Sequence, residues 1–471
     1  MALKIQLRSV LMFNPICWNA ELIRRYDNPG PRYTSYPTAV QFHDGVEPSD
    51  LLSALDISRQ EERPLSLYVH IPFCANICYY CACNKVITKD RSRAEPYLQS
   101  LFREIELVSQ HVGDNQQIQQ LHFGGGTPTF LAHDQLRALM NTLRAHFSLR
   151  EDDLGDYSIE IDPREADWST MGLLREIGFN RVSFGVQDLE PEVQRAVNRL
   201  QTLEQTQAVM DAARALQYRS INIDLIYGLP KQTPVSFAKT LDAIIALKPD
   251  RLSVFNYAHL PERFLPQRRI QVADLPSPQD KLSMLENTIN QLVKAGYRYI
   301  GMDHFALPDD SLSNAQENAD LQRNFQGYTT HGHCDLIGLG VSSISQIGDL
   351  FSQNSSDIKV YQHSLDGNKL ATRRGLKCHA DDRLRRAIIG QLICHFTLDF
   401  ADIEKRFGIV FHDYFAASLP VLNQMRSDGL IQLTDRSIRI MPVGRLLVRS
   451  ICMVFDAYQA TDNHQRYSRI I

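Results

Sequence analysis

Between residue 65 and about residue 345 the chain alternates two kinds of apolar pattern. Short runs rich in β-branched and aromatic residues read as strands: LSLYVHIPF (65–73), QQLHFGG (119–125), YSIEIDP (157–163), RVSFGVQ (181–187), SINIDLIYG (220–228) and RLSVFNYAHL (251–260). Between them lie amphipathic runs of helical period, such as Leu282, Leu285, Ile289 and Leu292. Pro278 near the start of that run and Gly296 just past it match the usual asymmetry of helix ends. Thr202 followed by Gln205 predicts a capping box for another helix. The junctions REIGFNRVSF, RALQYRSINI and VKAGYRYIGM share one form: a helix end, an aromatic residue, a basic residue, then a strand. Repeated βα units of this kind imply a parallel sheet, open or closed into a TIM-like barrel.

Past residue 380 the rhythm changes. DDRLRRAIIGQLICHF and FHDYFAASLPVLNQMRSDG read as helical, LIQLTDRSIRIM as a hairpin, and a last helix follows. The expectation is an α/β protein. Residues 1–60 form an N-terminal extension, 61–350 the βα region, and 351–471 a mostly helical, winged-helix-like domain; the resemblance given below implies that the first holds a substrate-flap segment and the second a partial βα barrel.

Composition narrows the function classes. A chain of 471 residues exceeds one ordinary compact domain. Hydrophobic and charged fractions of 44% and 22% are those of a soluble globular protein. The net charge of −4, without a block of like charges, supplies no footprint for nucleic acid. No apolar run approaches the ~18 residues of a membrane span. The N-terminus MALKIQLRSVLMFNPICWNA is basic and apolar, but Asn14 and Pro15 interrupt it and no small-residue cleavage site follows. A cytoplasmic location is expected, with residues 1–11 read as an extension upstream of a start at Met12.

Candidate chemistry begins with the cysteines. Five of the nine stand alone (Cys17, Cys334, Cys378, Cys394 and Cys452), while Cys74, Cys78, Cys81 and Cys83 crowd into ten residues. Clustering in a long chain points to metal binding rather than to a disulfide framework. Cys74, Cys78 and Cys81 form C-x-x-x-C-x-x-C directly after the first strand. Three thiolates on a cubane of four irons leave one iron open for a cofactor or substrate. A structural zinc loop is the alternative, with Cys83 as a fourth ligand.

Two further signals lie on strands. Gly124, Gly125 and Gly126 in HFGGGTPTF end the second strand, where glycine permits close backbone approach and exposes amides. Glu160 and Asp162 share one face of a strand, Gln187 ends the next, and Asn222 with Asp224 share a face of SINIDLIYG. Polar groups at the C-terminal ends of barrel strands line active sites.

The cysteine spacing followed by GGGTP resembles the radical S-adenosylmethionine superfamily. HIPFCANICYYCACNK, PGPRYTSYPT (29–38) and QGYTTH (326–331) are similar to the oxygen-independent coproporphyrinogen III oxidase family, from about residue 20 to the C-terminus. The resemblance implies a barrel of about three-quarters closure with a C-terminal appendage. It implies a 4Fe–4S cluster on Cys74, Cys78 and Cys81, and two S-adenosylmethionine molecules. The first would meet Tyr68, Tyr80, Gly125, Glu160 and Ile344. The second would meet Gly126, Thr127, Gln187, Arg199, Asp224 and Ala258. Cys83 matches a cysteine required for activity that is not a cluster ligand. The implied reaction converts two propionates of coproporphyrinogen III to vinyl groups, giving protoporphyrinogen IX, by way of a 5′-deoxyadenosyl radical. A monomer reduced by a donor protein such as a flavodoxin is expected. Arg32, Tyr33 and Tyr36 in PRYTSYPT are candidates for a flap over the substrate. The rivals within the lineage are a haem chaperone, and a radical methyltransferase or haem-opening enzyme. Haem chaperones of the lineage typically lack the fourth cysteine and PRYTSYPT.

Overall fold

A computed structural model of the chain describes residues 16–459, so the upstream-extension reading of residues 1–11 and the proposed start at Met12 fall outside the described residues. The described chain forms two compact units. One comprises residues 39–284 and 331–378; the other comprises 16–38, 285–330 and 379–459. This division in space cuts the chain at other places than the linear division into 1–60, 61–350 and 351–471.

The larger unit is built on a parallel sheet whose strands are β1 (Leu65–Ile71), β2 (Gln117–Gly125), β3 (Asp156–Ile161), β4 (Arg181–Gln187), β5 (Ser220–Tyr227), β6 (Arg251–Asn256) and β7 (Asp335–Leu339). Their order is β6-β5-β4-β3-β2-β1-β7, and every neighbouring pair is parallel. Three antiparallel strands, β8 (Ile344–Ile347), β9 (Leu350–Asn354) and β10 (Thr372–Lys377), continue from β7. The parallel sheet is the one the strand–helix alternation predicted, and its incomplete βα barrel is the form the resemblance implied.

The helices α1 (Ala94–Ser109), α2 (His133–His146), α3 (Trp168–Glu176), α4 (Leu203–Ala215) and α5 (Pro234–Ala246) connect successive strands. Each buries one stripe; α1 buries Tyr97, Leu98, Leu101, Ile105 and Val108. At the start of α4, Thr202 and Gln205 form the predicted capping box, with reciprocal bonds of 2.9 and 3.2 Å. Along β3 the residues Tyr157, Ile159 and Ile161 are buried, while Ser158 and Glu160 are only half-buried. Register places Glu160 beside Ser183 and Ser183 beside Asn222; Gly185 pairs with Asp224 and Asp224 with Ser253. The polar residues of β3 to β6 therefore share one face, toward the inside of the curved sheet. A buried carboxylate, Glu104 of α1, accepts from Gly340 N–H (2.6 Å), Asn354 Nδ2 (2.6 Å) and Tyr361 Oη (2.7 Å), fixing the turn after β7.

The smaller unit has the expected C-terminal composition. Helices Ala380–His395, Phe400–Phe407 and Leu419–Ser427 accompany a three-stranded antiparallel sheet of Thr397–Asp399, Ser437–Ile440 and Ile431–Leu433, in that order. Phe400 stacks on Phe411 at 3.8 Å between ring centroids, and Phe411, Phe415 and Phe455 extend the cluster. The PGPRYTSYPT segment is bound within this unit. Arg449 donates to the carbonyls of Gly30 and Pro31, Tyr33 Oη donates to Asp456 (2.9 Å), and Arg386 Nε donates to the Tyr36 carbonyl (2.9 Å). Tyr33 and Tyr36 are both 3% exposed, so they are packing residues here, while half-exposed Arg32 pairs with Asp303 at 3.1 Å. No helix among the described residues is long and apolar enough to cross a membrane.

Candidate active site

The four clustered cysteines sit on the loop leaving β1, at the C-terminal end of the barrel strands. The glycine run ending β2 holds that loop by its backbone: Gly126 N–H donates to Ile71 O and Thr127 N–H to Phe73 O, both at 2.8 Å. A Cβ at Gly126 would lie 2.7 Å from the Phe73 carbonyl oxygen, so only glycine allows this approach. Gly125 adopts φ +115°, a left-handed conformation that a side chain would also strain. Farther along the loop, Tyr79 N–H donates to Val197 O (2.9 Å), Asn198 Nδ2 to Ile77 O (2.7 Å) and Gln267 Nε2 to Tyr80 O (3.1 Å). Tyr79 and Tyr80 pack on a buried cluster of Val193, Val197, Leu229, Tyr257 and Ile270. The loop is thus anchored by apolar contact on one side and backbone pairing on the other.

These elements enclose a cavity of about 300 Å³. Of the site residues read from the sequence, Cys74, Cys78, Tyr80, Cys81, Cys83, Gly125, Gly126, Thr127, Glu160, Gln187, Arg199 and Asp224 line it. Tyr68, Ala258 and Ile344 do not. Tyr68 lies one layer deeper, its hydroxyl 3.1 Å from His70 Nδ1 and its ring stacked on His122. Ala258 follows the end of β6, and Ile344 opens β8 opposite Gln353.

The thiols differ in character. Burial pushes the Cys74 thiol up to about 11, although Thr127 Oγ1 donates to its sulfur at 3.5 Å. A hydrogen bond from the Cys83 thiol, aided by nearby Lys85, brings Cys81 down to about 6. Donating that bond, together with burial of the sulfur, holds Cys83 well above the ordinary thiol range. Lys85 Nζ also donates to the carbonyls of Cys81 (3.1 Å) and Cys83 (3.3 Å).

Ligand spacing separates a cluster from a single ion. Tetrahedral zinc at about 2.3 Å from each sulfur needs thiolates roughly 3.8 Å apart. Among the described residues, no three of the loop cysteines bring their sulfurs within 4.8 Å of one another. The loop thiols are thus not pre-arranged as a three-sulfur tetrahedral site.

Opposite the thiols stand the carboxylates. Glu160 Oε2 accepts from Gly125 N–H (3.1 Å) and Oε1 from His122 Nε2 (3.3 Å). Against the upward push of burial, these donors hold Glu160 below its ordinary range, so it is ionised. Asp224 is pushed the other way, up to about 6, by burial and then by the charge of Glu160; Asn222 and Ser183 donate to it at 2.8 and 3.0 Å. Two carboxyl groups in one cavity thus differ in affinity for a proton.

Arg199, which its sequence context alone would put on a solvated surface, is 7% exposed. Its Nη1 donates to Asp162 Oδ2 (2.9 Å) and to Cys78 Sγ (3.5 Å), and its Nη2 to the Gly185 carbonyl. Arg164 reaches the same two partners, at 2.7 Å to Asp162 Oδ2 and 3.9 Å to Cys78 Sγ. Against burial, the two guanidiniums hold Asp162 below the usual carboxylate range. Arg164, Ser183 and Phe255 on the cavity wall, and His122 behind Glu160, escaped the sequence reading. Only Arg164 left a trace there, as the arginine two residues after a strand-end aspartate, where Arg164 N–H closes a turn on Asp162 Oδ1 (3.0 Å).

The cavity fits a cluster and an amino-acid nucleoside on its own polar atoms. Gln187 Oε1 and Arg199 Nε are buried at its wall without a hydrogen-bond partner. Such groups cost free energy unless a ligand satisfies them. The cysteine thiols are free of disulfides.

Comparison with known proteins agrees. The radical SAM superfamily matches residues 68–244, and the HemN C-terminal domain matches residues 378–447. The chain is 70% identical over 460 residues to the oxygen-independent coproporphyrinogen III oxidase of Pseudomonas aeruginosa, covering 98% of this chain and 100% of that one. It is 50% identical over 457 residues to the enzyme of the same name from Escherichia coli, covering 97% and 99%. The solved structure of coproporphyrinogen III oxidase (HemN) from Escherichia coli, described as a radical SAM enzyme, superposes with a TM-score of 0.90 at 48% identity, covering 94% of this chain and 100% of that one. The chain belongs to the oxygen-independent coproporphyrinogen III oxidase family of radical SAM enzymes.

Proposed function

We propose that this protein converts coproporphyrinogen III to protoporphyrinogen IX without oxygen, by oxidative decarboxylation of two propionates. The observation that carries the reading is the single cavity in which three thiols, a glycine-rich backbone edge, Glu160, Asp224 and Arg199 converge. When bound, the 4Fe–4S cluster and S-adenosylmethionine supply a 5′-deoxyadenosyl radical that removes a hydrogen atom.

The chain's own residues bind and orient. Cys74, Cys78 and Cys81 would hold the cluster, their approach fixed by the pairing of Gly126 and Thr127 with the β1 exit. Ionised Glu160 is suited to accept hydrogen bonds from a ribose or an ammonium group beside Tyr80 and Gly125. A second S-adenosylmethionine is proposed against Gly126, Thr127, Gln187, Arg199 and Asp224, with Tyr68, Ile344 and Ala258 completing the two sets from outside the cavity wall. Arg199 keeps its charge in that buried setting and suits a carboxylate. Cys83, on the wall of the same cavity, is proposed as a residue required for turnover that does not ligate the cluster. The reading also includes a cytoplasmic monomer reduced by a flavodoxin-type donor.

The test is product analysis under anaerobic conditions with coproporphyrinogen III, S-adenosylmethionine, a reductant and an electron acceptor. Protoporphyrinogen IX should accumulate with about two 5′-deoxyadenosines per product, because each vinyl group needs one radical. Cofactor cleavage without a decarboxylated tetrapyrrole would refute the substrate. Stoichiometric haem binding without carbon dioxide release would favour the haem-carrier alternative.

A further inference from the structure

At the other end of the barrel, before β7, the sequence His331-Gly332-His333-Cys334 places three metal-binding side chains together. Their ligand atoms lie within 4.8 Å of one another, the spacing that the cysteine loop lacks. The β1 strand separates the two sites: its first residue, Leu65, pairs with Asp335, and the cysteine loop follows its last. Six strand rises put them about 20 Å apart.

We propose that His331, His333 and Cys334 form a binding site for one thiophilic divalent cation, Zn²⁺ by its donor set, at the N-terminal end of the barrel. Two imidazoles and one thiolate are borderline-soft donors of the kind zinc takes in tetrahedral sites, and three of them leave a fourth position for water or another ligand.

A second observation supports an ion here. His331 donates Nε2–H to Asp156 Oδ2 at 3.2 Å, so a cation at this site would be met by Nδ1 of the same ring. A carboxylate behind a histidine in this way fixes the ring and raises its basicity, an arrangement typical of metal ligands. Asp156 is itself anchored, accepting from Arg181 Nε at 2.8 Å, with Arg219 at 4.0 Å. The next residue, Asp335, is buried and paired with Arg63 at 2.9 Å, so the C-terminal end of the ligand loop is rigid. His333 is exposed and Cys334 half-buried, so an ion has access. Because Asp156 opens β3 and the ligands precede β7, a bound ion would tie together two strands that β1 and β2 separate.

The experiment uses anaerobic, cluster-loaded protein dialysed against limiting Zn²⁺. Metal analysis should find one zinc per chain in addition to the cluster iron. Zinc-edge X-ray absorption should report one sulfur at about 2.3 Å and two nitrogens at about 2.0–2.1 Å. His333→Ala, at an exposed position, should retain the iron and bind zinc at least tenfold more weakly. Cys334→Ser should remove the sulfur from the zinc spectrum. Asp156→Asn should weaken zinc binding by roughly 10–100-fold. Absence of retained zinc in the wild-type protein would overturn the proposal. So would zinc binding that His333→Ala leaves unchanged, or a spectrum with three sulfurs, which would place zinc on the cysteine loop.

Discussion

Asp224→Asn separates what the fold needs from what the site needs. Asp224 is half-buried on the cavity wall, and burial, with the neighbouring charge of Glu160, raises it from 3.8 to about 6. A raised carboxyl favours the protonated form in the folded state, so its ionisation at neutral pH opposes folding. At about 1.4 kcal/mol per tenfold change, that displacement corresponds to about 3 kcal/mol, which solvent in the open cavity reduces to roughly 1–3 kcal/mol. The cost is absent below the unfolded value near 3.8, grows as pH rises, and is complete above about 6. Asparagine removes the charge and keeps an acceptor for Asn222, while the Ser183 hydroxyl can turn to accept from the new amide. Urea denaturation of cluster-loaded protein without S-adenosylmethionine should therefore show the variant more stable than wild type at about pH 7.5. Linkage predicts an advantage of roughly half that size at about pH 5. Turnover should fall, because the acceptor proposed for the second cofactor has lost its charge. A variant less stable than wild type at neutral pH, or an advantage that does not shrink on acidification, would refute the assignment of Asp224 as a strained, functional carboxylate.

Other outcomes follow from the same geometry. Alanine at Cys74, Cys78 or Cys81 should abolish the iron–sulfur absorption, whereas Cys83→Ala should retain about four irons per chain and lose turnover; iron loss in Cys83→Ala would restore a four-thiolate site. Gly126→Ala drives a Cβ to 2.7 Å from the Phe73 carbonyl, so it should cost about 1–3 kcal/mol and lower iron occupancy after reconstitution. Arg199→Ala leaves Asp162 with Arg164 as its remaining cation, so destabilisation should stay near 2–3 kcal/mol, below the ~3–5 kcal/mol of an orphaned buried charge, while turnover collapses. Wild-type turnover in Arg199→Ala at saturating S-adenosylmethionine would remove Arg199 from the second cofactor site.

Much of the scaffold was legible along the chain because a βα barrel writes its pattern locally. RVSFGVQ forms β4 over all its length, and Thr202 with Gln205 caps α4 as their spacing requires. C-x-x-x-C-x-x-C and the glycine run are equally local, and together with PGPRYTSYPT and QGYTTH they suffice to identify the family. What the chain could not state is which side chains meet across it. Asp162 and Arg199 are far apart in sequence, yet they share a buried ion pair beside the Cys78 sulfur, so Arg199 reads as a surface residue until β3 and the segment after β4 are brought together. The opposite displacements of Glu160 and Asp224 likewise arise from His122 on β2 and from burial, neither of which leaves a periodic signal. The tyrosines of PRYTSYPT look suited to a substrate flap in sequence; only packing against Asp456 and Arg386 reveals them as anchors. The run His331-Gly332-His333-Cys334 is local, but Asp156 comes to stand behind His331 only when β3 and the turn before β7 are brought together in the fold. Local periodicity determines elements and motifs; electrostatics and ligand sets depend on distances that only the folded chain creates.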